Sequence, residues 1–188
     1  MKIKFTCSSF LPPNNFGWKN IQKDHKLSFG EFGDWPMELT KKSNEDVLIW
    51  VIILEDILPE KLLMSNKQED LISGKEVLDK ALEILSLRLE QKDHTIVTWT
   101  AECSNSPIRY AKRKPNSIIL FEYLENNLYN LSSQSVKLLL IPLNTIFSFH
   151  GTKNCFDSRN FFITRIRFSQ LGIKLIAESI GAVLTRIL

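Results

Sequence analysis

Two hydrophobic patterns alternate along the chain. One is a short run that is apolar at every position, as in VLIWVIIL at 47–54, and HTIVTWT at 94–100 reads as another buried strand. The other is a longer segment with apolar residues every three or four positions. A strand apolar on both faces is covered on both, as in parallel sheets. A three-to-four spacing makes one stripe of a helix. In the segment 73–93 that stripe is Val77, Leu78, Ala81, Leu82, Leu85 and Leu89, with Lys and Glu opposite.

This reading predicts strands at 2–7, 26–32, 46–54, 94–100 and 136–143. It predicts helices at 17–25, 34–42, 73–93, 117–134 and 169–188, and a helical turn in DILPEKLL at 56–63. Pro12-Pro13 breaks regular structure, and Asn14 or Asn15 caps the next helix. Asp34 and Pro36 mark a helix start, and Ser169 caps the last helix. NTIFSFHGTKNCFDSRNFF at 144–162 reads as a long irregular return. Alternating strands and helices imply an α/β fold, three-layer α/β/α, with about five mostly parallel strands. The expected order is the flavodoxin-like 2-1-3-4-5, with ligands in the crevice beyond the carboxyl ends of the strands.

With 188 residues and 44% hydrophobic content, the chain suits one domain over 1–188. A net charge of +3, spread along the chain, is not a nucleic-acid-binding composition. The densest basic run is RYAKRK at 109–114. Cys7, Cys103 and Cys155 are widely spaced and odd in number, so the expected setting is reducing and cytoplasmic. MKIKFTC is too short in its apolar run for a signal peptide, and VLIWVIIL too short to span a bilayer. The seven glycines form no phosphate loop, and His25, His94 and His150 show no metal-ligand spacing. No cofactor, metal, nucleic acid or membrane is expected.

The crevice loops hold the candidate chemistry. Ser8 and Ser9 follow the first strand, where a hydroxyl projects into the crevice or caps a turn. Glu55 and Asp56 follow the third strand, either as a substrate or cation contact or as acidic residues favouring the start of the next helical turn. Asp157, Ser158, Arg159 and Asn160 sit on the last loop, where an Asp-Arg pair is bidentate if buried.

Three stretches carry a resemblance. EDVLIWVIILEDILPE at 45–60 resembles the strand-plus-LEDLLP segment of the N-terminal region of FkbH-like proteins. FGDWPMEL at 32–39 resembles the aromatic-rich helix before it. NCFDSRNFFITRIRFSQLGIKLIAESIGAVL at 154–184 resembles that region's last loop and closing helix. That region is similar to the SGNH (GDSL-type) hydrolase fold, a three-layer α/β/α sheet. In complete FkbH-like proteins a haloacid-dehalogenase-type domain follows and loads a glyceryl unit onto a carrier-protein thiol. The aspartate motif of that domain is absent from residues 1–188, so its activity is not expected of this chain.

The departures from a working SGNH hydrolase decide the expected function. Where such enzymes carry Gly-Asp-Ser, this chain has TCSS, so Ser8 or Ser9 stands for the nucleophile. Where they carry Gly-x-Asn-Asp, it has Ile53-Leu54-Glu55-Asp56, placing a carboxylate where an amide stabilises the oxyanion. Losing one oxyanion donor costs about two to three orders of magnitude in rate. Where they end in Asp-x-x-His, it has Asp157-Ser158-Arg159-Asn160, and an amide does not take a serine proton. The resemblance thus implies an SGNH-like domain without a complete triad, binding an acyl, glyceryl-carrier or sugar group in a biosynthetic pathway. Ser8, Ser9, Glu55, Asp56, Asp157, Arg159 and Asn160 line the expected site. An acidic acyl-carrier protein is the candidate partner, and Arg109, Lys112, Arg113 and Lys114 its docking patch. The alternative is an active serine esterase or acyltransferase with Ser8 as nucleophile, His150 as base and Asp157 orienting it. A third reading is an interaction module, a dimer built on exposed Trp18 and Trp35.

Overall fold

The computed structural model describes residues 1–31, 33–42, 44–102 and 115–187, with Ser158 and Asn160 described by backbone alone. The basic run from Arg109 to Lys114 and Cys103 lie outside the described residues.

Five parallel strands form one sheet in the order β2-β1-β3-β4-β5. They are β1 (Lys2–Cys7), β2 (Lys26–Phe29), β3 (Val47–Ile53), β4 (His94–Thr100) and β5 (Leu138–Pro142). β3 is buried at all seven positions because both its faces are covered. Ile3, Phe5, Cys7, Val47, Ile49, Val51, Ile53 and Ile96 face one core, and Leu48, Trp50, Ile52, Val97 and Trp99 the other. Burying a side chain of this size is worth about 1.5–3 kcal/mol relative to leaving it exposed.

The first core is closed by a 3-10 turn (Phe16–Trp18), α1 (Lys19–Asp24), and helices near the C-terminus. Asn15 caps that turn through its side chain, accepting from the Gly17 N–H at 2.8 Å. The second core is closed by α2 (Trp35–Thr40), α3 (Leu54–Ile57), α4 (Glu60–Met64), α5 (Gln68–Leu89) and α6 (Asn116–Gln134). Three layers result.

Several expectations need correction. The expected helix 73–93 begins earlier, at Gln68, with Glu69 and Asp70 in its first turn, and ends at Leu89. The acidic first turn favours that start. Asp34 stands before α2 but makes no capping hydrogen bond. The expected irregular return is helical: α7 (Leu143–His150), α8 (Thr152–Cys155) and α9 (Ser158–Thr164) precede α10 (Gln170–Ile187). Ser169 does cap α10, its hydroxyl accepting from the Gly172 N–H at 3.1 Å. Trp18 is fully buried against Phe5 and Phe29, and Trp35 is half-buried and stacks on Trp50 at 4.9 Å. A dimer built on exposed Trp18 is therefore ruled out.

Gly172 lets α10 approach α8. A Cβ there would collide with the Cys155 carbonyl oxygen, which accepts from the Ser169 N–H at 2.9 Å. An antiparallel bridge between Phe156 and Phe168 and the Asp157 N–H to Arg167 carbonyl bond (2.7 Å) tie the same junction. This junction brings Arg167 to the carboxyl end of the sheet. Among the described residues no helix is long and apolar enough to cross a membrane.

Candidate functional site

Chain direction reverses its winding between β1 and β3, since β2 lies outside β1 while β4 and β5 follow β3. The crevice of a parallel sheet opens at such a switch point. Ser8 and Ser9 directly follow β1, and Glu55 and Asp56 lie in the first turn of α3, directly after β3. Both serines are buried.

The two pairs meet there. The Ser9 hydroxyl donates to Asp56 Oδ2. Arg167 donates from Nε to the other oxygen, Asp56 Oδ1, at 2.5 Å, and its Nη1 approaches Glu102 at 3.4 Å. The Asp56 side chain is only 7% exposed and that of Arg167 15%, so this is a largely desolvated pair. The guanidinium also lies over the Phe161 ring, 3.9 Å from its centroid. Ser8 is engaged differently. Its Oγ accepts from the Ile53 N–H at 3.4 Å, at the end of β3. The Cys7 thiol beside the serines is pushed up to about 12, chiefly by burial. It is a packed thiol, not a nucleophile.

Outside this chain of bonds lies a groove of about 350 Å³. It is lined by Glu55, Glu60, Leu63, Met64, Glu102, Phe161, Phe162 and Arg167. α4 supplies one wall and α9 the other. Arg167, which lines it, is bonded to Asp56 and through Asp56 linked to Ser9.

The remaining expected residues lie elsewhere. Asp157, half-buried before α9, lines a separate hollow of about 330 Å³ with Pro12, Asn15 and the start of α10. Arg159 is exposed on α9. The side chain of Asn160 lies outside the described residues, as do Arg109, Lys112, Arg113 and Lys114. His150 is exposed at the last position of α7, and its side chain makes no hydrogen bond to either serine. His25 and His94 sit at the opposite, amino end, before β2 and at the first position of β4. Among the described residues no group of His, Cys, Asp and Glu has the arrangement of a metal site.

A further hollow, about 630 Å³, is at the amino end, lined by Lys42, Glu45 and Asp46 on one side and by Glu90 to His94 on the other. It is a polar recess at the end of the sheet that does not carry ligands in open α/β folds.

Sequence reasoning placed Ser9 with Asp56 but left out Arg167, Glu102, Glu60 and Phe161. The only available signal for Arg167 was its alternation with Arg165 in TRIRF, an unusual pair of cations beside a loop of aromatic residues.

No family model matches the sequence, and no curated protein matches it. Solved structures do. The N-terminal part of the protein BF1531 from Bacteroides fragilis, described as containing a phosphatase domain and complexed with Mg, superposes with a TM-score of 0.77 at 16% identity. The match covers 100% of this chain and 52% of that one, so this chain spans about half the length of that structure. A protein from Lactobacillus plantarum superposes with a TM-score of 0.56 at 9% identity, over 98% of this chain and 96% of the other. Protein YXIM from Bacillus subtilis gives 0.50 at 10% identity, over 99% and 56%. At such identities the likeness is one of fold: an α/β domain with a five-stranded all-parallel sheet between two helical layers.

Proposed function

We propose that this domain is an SGNH-hydrolase-like binding module of the FkbH-like kind rather than a hydrolase. Its crevice receives a small acyl, glyceryl or sugar group within a cytoplasmic biosynthetic pathway. One observation carries the reading: both serine hydroxyls are held by partners other than an imidazole. Ser9 is bonded to Asp56, Asp56 to Arg167, and Ser8 to the Ile53 N–H. An activated serine needs a base within hydrogen-bond reach. Here His25 and His94 lie at the far end of the sheet, and His150 is exposed on α7.

Glu55 strengthens the reading. It lines the groove at the position where the resemblance places an oxyanion donor. A carboxylate there repels a developing oxyanion instead of stabilising it. The phosphatase domain named for BF1531 is not carried over, because this chain covers about half of that structure. A carrier protein docked through Arg109, Lys112, Arg113 and Lys114 belongs to the same proposal, and charge reversal there slows carrier association in a salt-dependent way.

The test is fluorophosphonate labelling read by intact mass, with a serine esterase as positive control. The binding reading expects no adduct. A single adduct lost in Ser8→Ala or Ser9→Ala would instead establish an activated serine and make the esterase reading, with His150 and Asp157, the working one.

A further inference from the structure

The groove between α4 and α9 has walls that narrow its ligand. Leu63, Met64, Phe161 and Phe162 make it apolar on two sides. Leu63 is buried, but Met64 is 54% exposed and Phe162 78%, so much of that apolar surface is open to solvent. Large apolar side chains left bare beside a concave surface mark a place where something else packs. The polar members of the lining are mostly engaged or solvated already. Glu102 pairs with Arg167 Nη1 at 3.4 Å, Glu55 holds partners within the fold, and Glu60 is exposed at the start of α4. Arg167 gives its Nε to Asp56 and its Nη1 to Glu102. Its third nitrogen, Nη2, donates to no acceptor among the described residues, and it is not one of the buried unpaired atoms. Nη2 is therefore a donor open to solvent, on a residue that lines the groove.

We infer that the groove takes a short apolar acyl chain: its methylenes lie against Met64 and Phe162, and its carbonyl oxygen accepts from Arg167 Nη2. The inference rests on the binding-module reading and narrows its ligand from acyl, glyceryl or sugar to acyl. Polar capacity decides between them. A glyceryl or sugar group brings several hydroxyls, and each loses water on entry and needs a partner in return. With the walls apolar, Glu55 and Glu102 engaged and one nitrogen of Arg167 open, most of those hydroxyls would go unpaired. An acyl chain asks for a single donor. Its carbonyl oxygen makes a charge-assisted hydrogen bond with a guanidinium N–H, and its methylenes remove apolar surface of both partners from water. The volume, about 350 Å³, is at the low end of small-molecule sites and suits a short chain. The acceptor is a neutral carbonyl, so the inference covers ester, thioester and amide linkages alike.

Four neutral probes test it: N-methylhexanamide, N-methylacetamide, N-methylglyceramide and methyl glucoside. Each is titrated into the ¹⁵N-labelled protein, following the amides of Met64, Glu102 and Phe162 and the side-chain N–H resonances of Arg167. N-methylhexanamide is expected to bind most tightly. A methylene is worth about fourfold in affinity when fully buried and about twofold when half-buried, so its four extra methylenes give about tenfold or more over N-methylacetamide. N-methylglyceramide and methyl glucoside are expected to bind no better than N-methylacetamide. Phe162 is exposed, so Phe162→Ser keeps the fold. That variant should lose most of the gain from chain length, and Phe162→Leu should restore it. If N-methylglyceramide or methyl glucoside binds as tightly as N-methylhexanamide, the acyl inference is overturned while the binding module stands. Unchanged N-methylhexanamide binding in Phe162→Ser overturns the placement of the chain, and unmoved Arg167 resonances overturn that of the carbonyl. If no probe moves the groove amides, the inference and ligand binding in this groove are refuted together. The labelling experiment separately decides for or against the esterase.

Discussion

Removing the Arg167 guanidinium is the most informative perturbation of this fold. In Arg167→Met the flexible apolar side chain keeps most of the volume and the contact with Phe161, but Asp56 loses its charge partner. Asp56 is 7% exposed, so its carboxylate stays in a poorly solvated place, with the Ser9 hydroxyl still donating to it but no cation beside it. Stripping one partner from a buried pair costs about 3–5 kcal/mol. Because Arg167 is 15% exposed, the lower end applies, about 3 kcal/mol. For a chain of this size each kcal/mol moves the melting temperature by about 2–4 °C, so a drop of about 6–12 °C is expected. Asp56→Leu alone leaves Arg167 with Glu102 and should also destabilise. The double variant Asp56→Leu/Arg167→Met removes both charges and should recover a large part of the loss, because an apolar replacement of a buried pair is often neutral. The cycle is measured by urea unfolding, read by tryptophan fluorescence, since Trp18, Trp50 and Trp99 are fully buried. The coupling should be at least about 2 kcal/mol. A coupling under about 0.5 kcal/mol would mean that the pair is solvated and that Asp56 and Arg167 do not organise the crevice. Arg167→Lys should rescue only partly, because an ammonium lacks the Nε donor and the planar stacking on Phe161.

Two further outcomes arise from local geometry. Gly172→Ala should cost about 3 kcal/mol or more, because the new Cβ meets the Cys155 carbonyl well inside van der Waals contact and a backbone atom cannot step aside. Gly74→Ala meets only the Leu120 side chain, at 2.7 Å, and gains helix propensity of about 1 kcal/mol, so its net change in urea unfolding should be much smaller. Burial raises the Cys7 thiol to about 12, so the unfolded state releases its proton first as pH rises. The stability that this group contributes is complete below its ordinary value and is lost between that value and about 12, at up to about 1.4 kcal/mol per pH unit. Urea unfolding at about pH 8 and about pH 10 should therefore show a larger fall in the wild type than in Cys7→Ala, which keeps the smaller contribution of the Cys155 thiol, also raised by burial; equal falls would remove Cys7 as a cause.

Legibility differed from element to element for physical reasons. β3 was readable because a strand covered on both faces leaves an unbroken apolar run, β4 because Ile96, Val97 and Trp99 stand among β-branched threonines, and α5 and α6 because a long helix repeats its stripe many times. α7, α8 and α9 were not. They are short, they are broken by Gly151 and by polar residues, and they leave Phe149, Phe162 and Ile163 exposed, which erases the stripe. Arg165 ends α9 with a positive φ of 60°, a position at which the sequence shows none of the usual Gly or Asn.

What the sequence determined by itself was the layered α/β sheet, its 2-1-3-4-5 order and the end at which Ser9 and Asp56 lie, because periodicity and chain order are local and topological properties. What only the tertiary structure decided was the company those residues keep. Arg167 reaches Asp56 across 111 positions, through the close approach of α10 to Cys155 that Gly172 permits. His150 is left exposed on a helix that its local sequence does not announce. A spacing along the chain carries no information about such meetings, since they depend on how helices with separate hydrophobic stripes settle against one sheet.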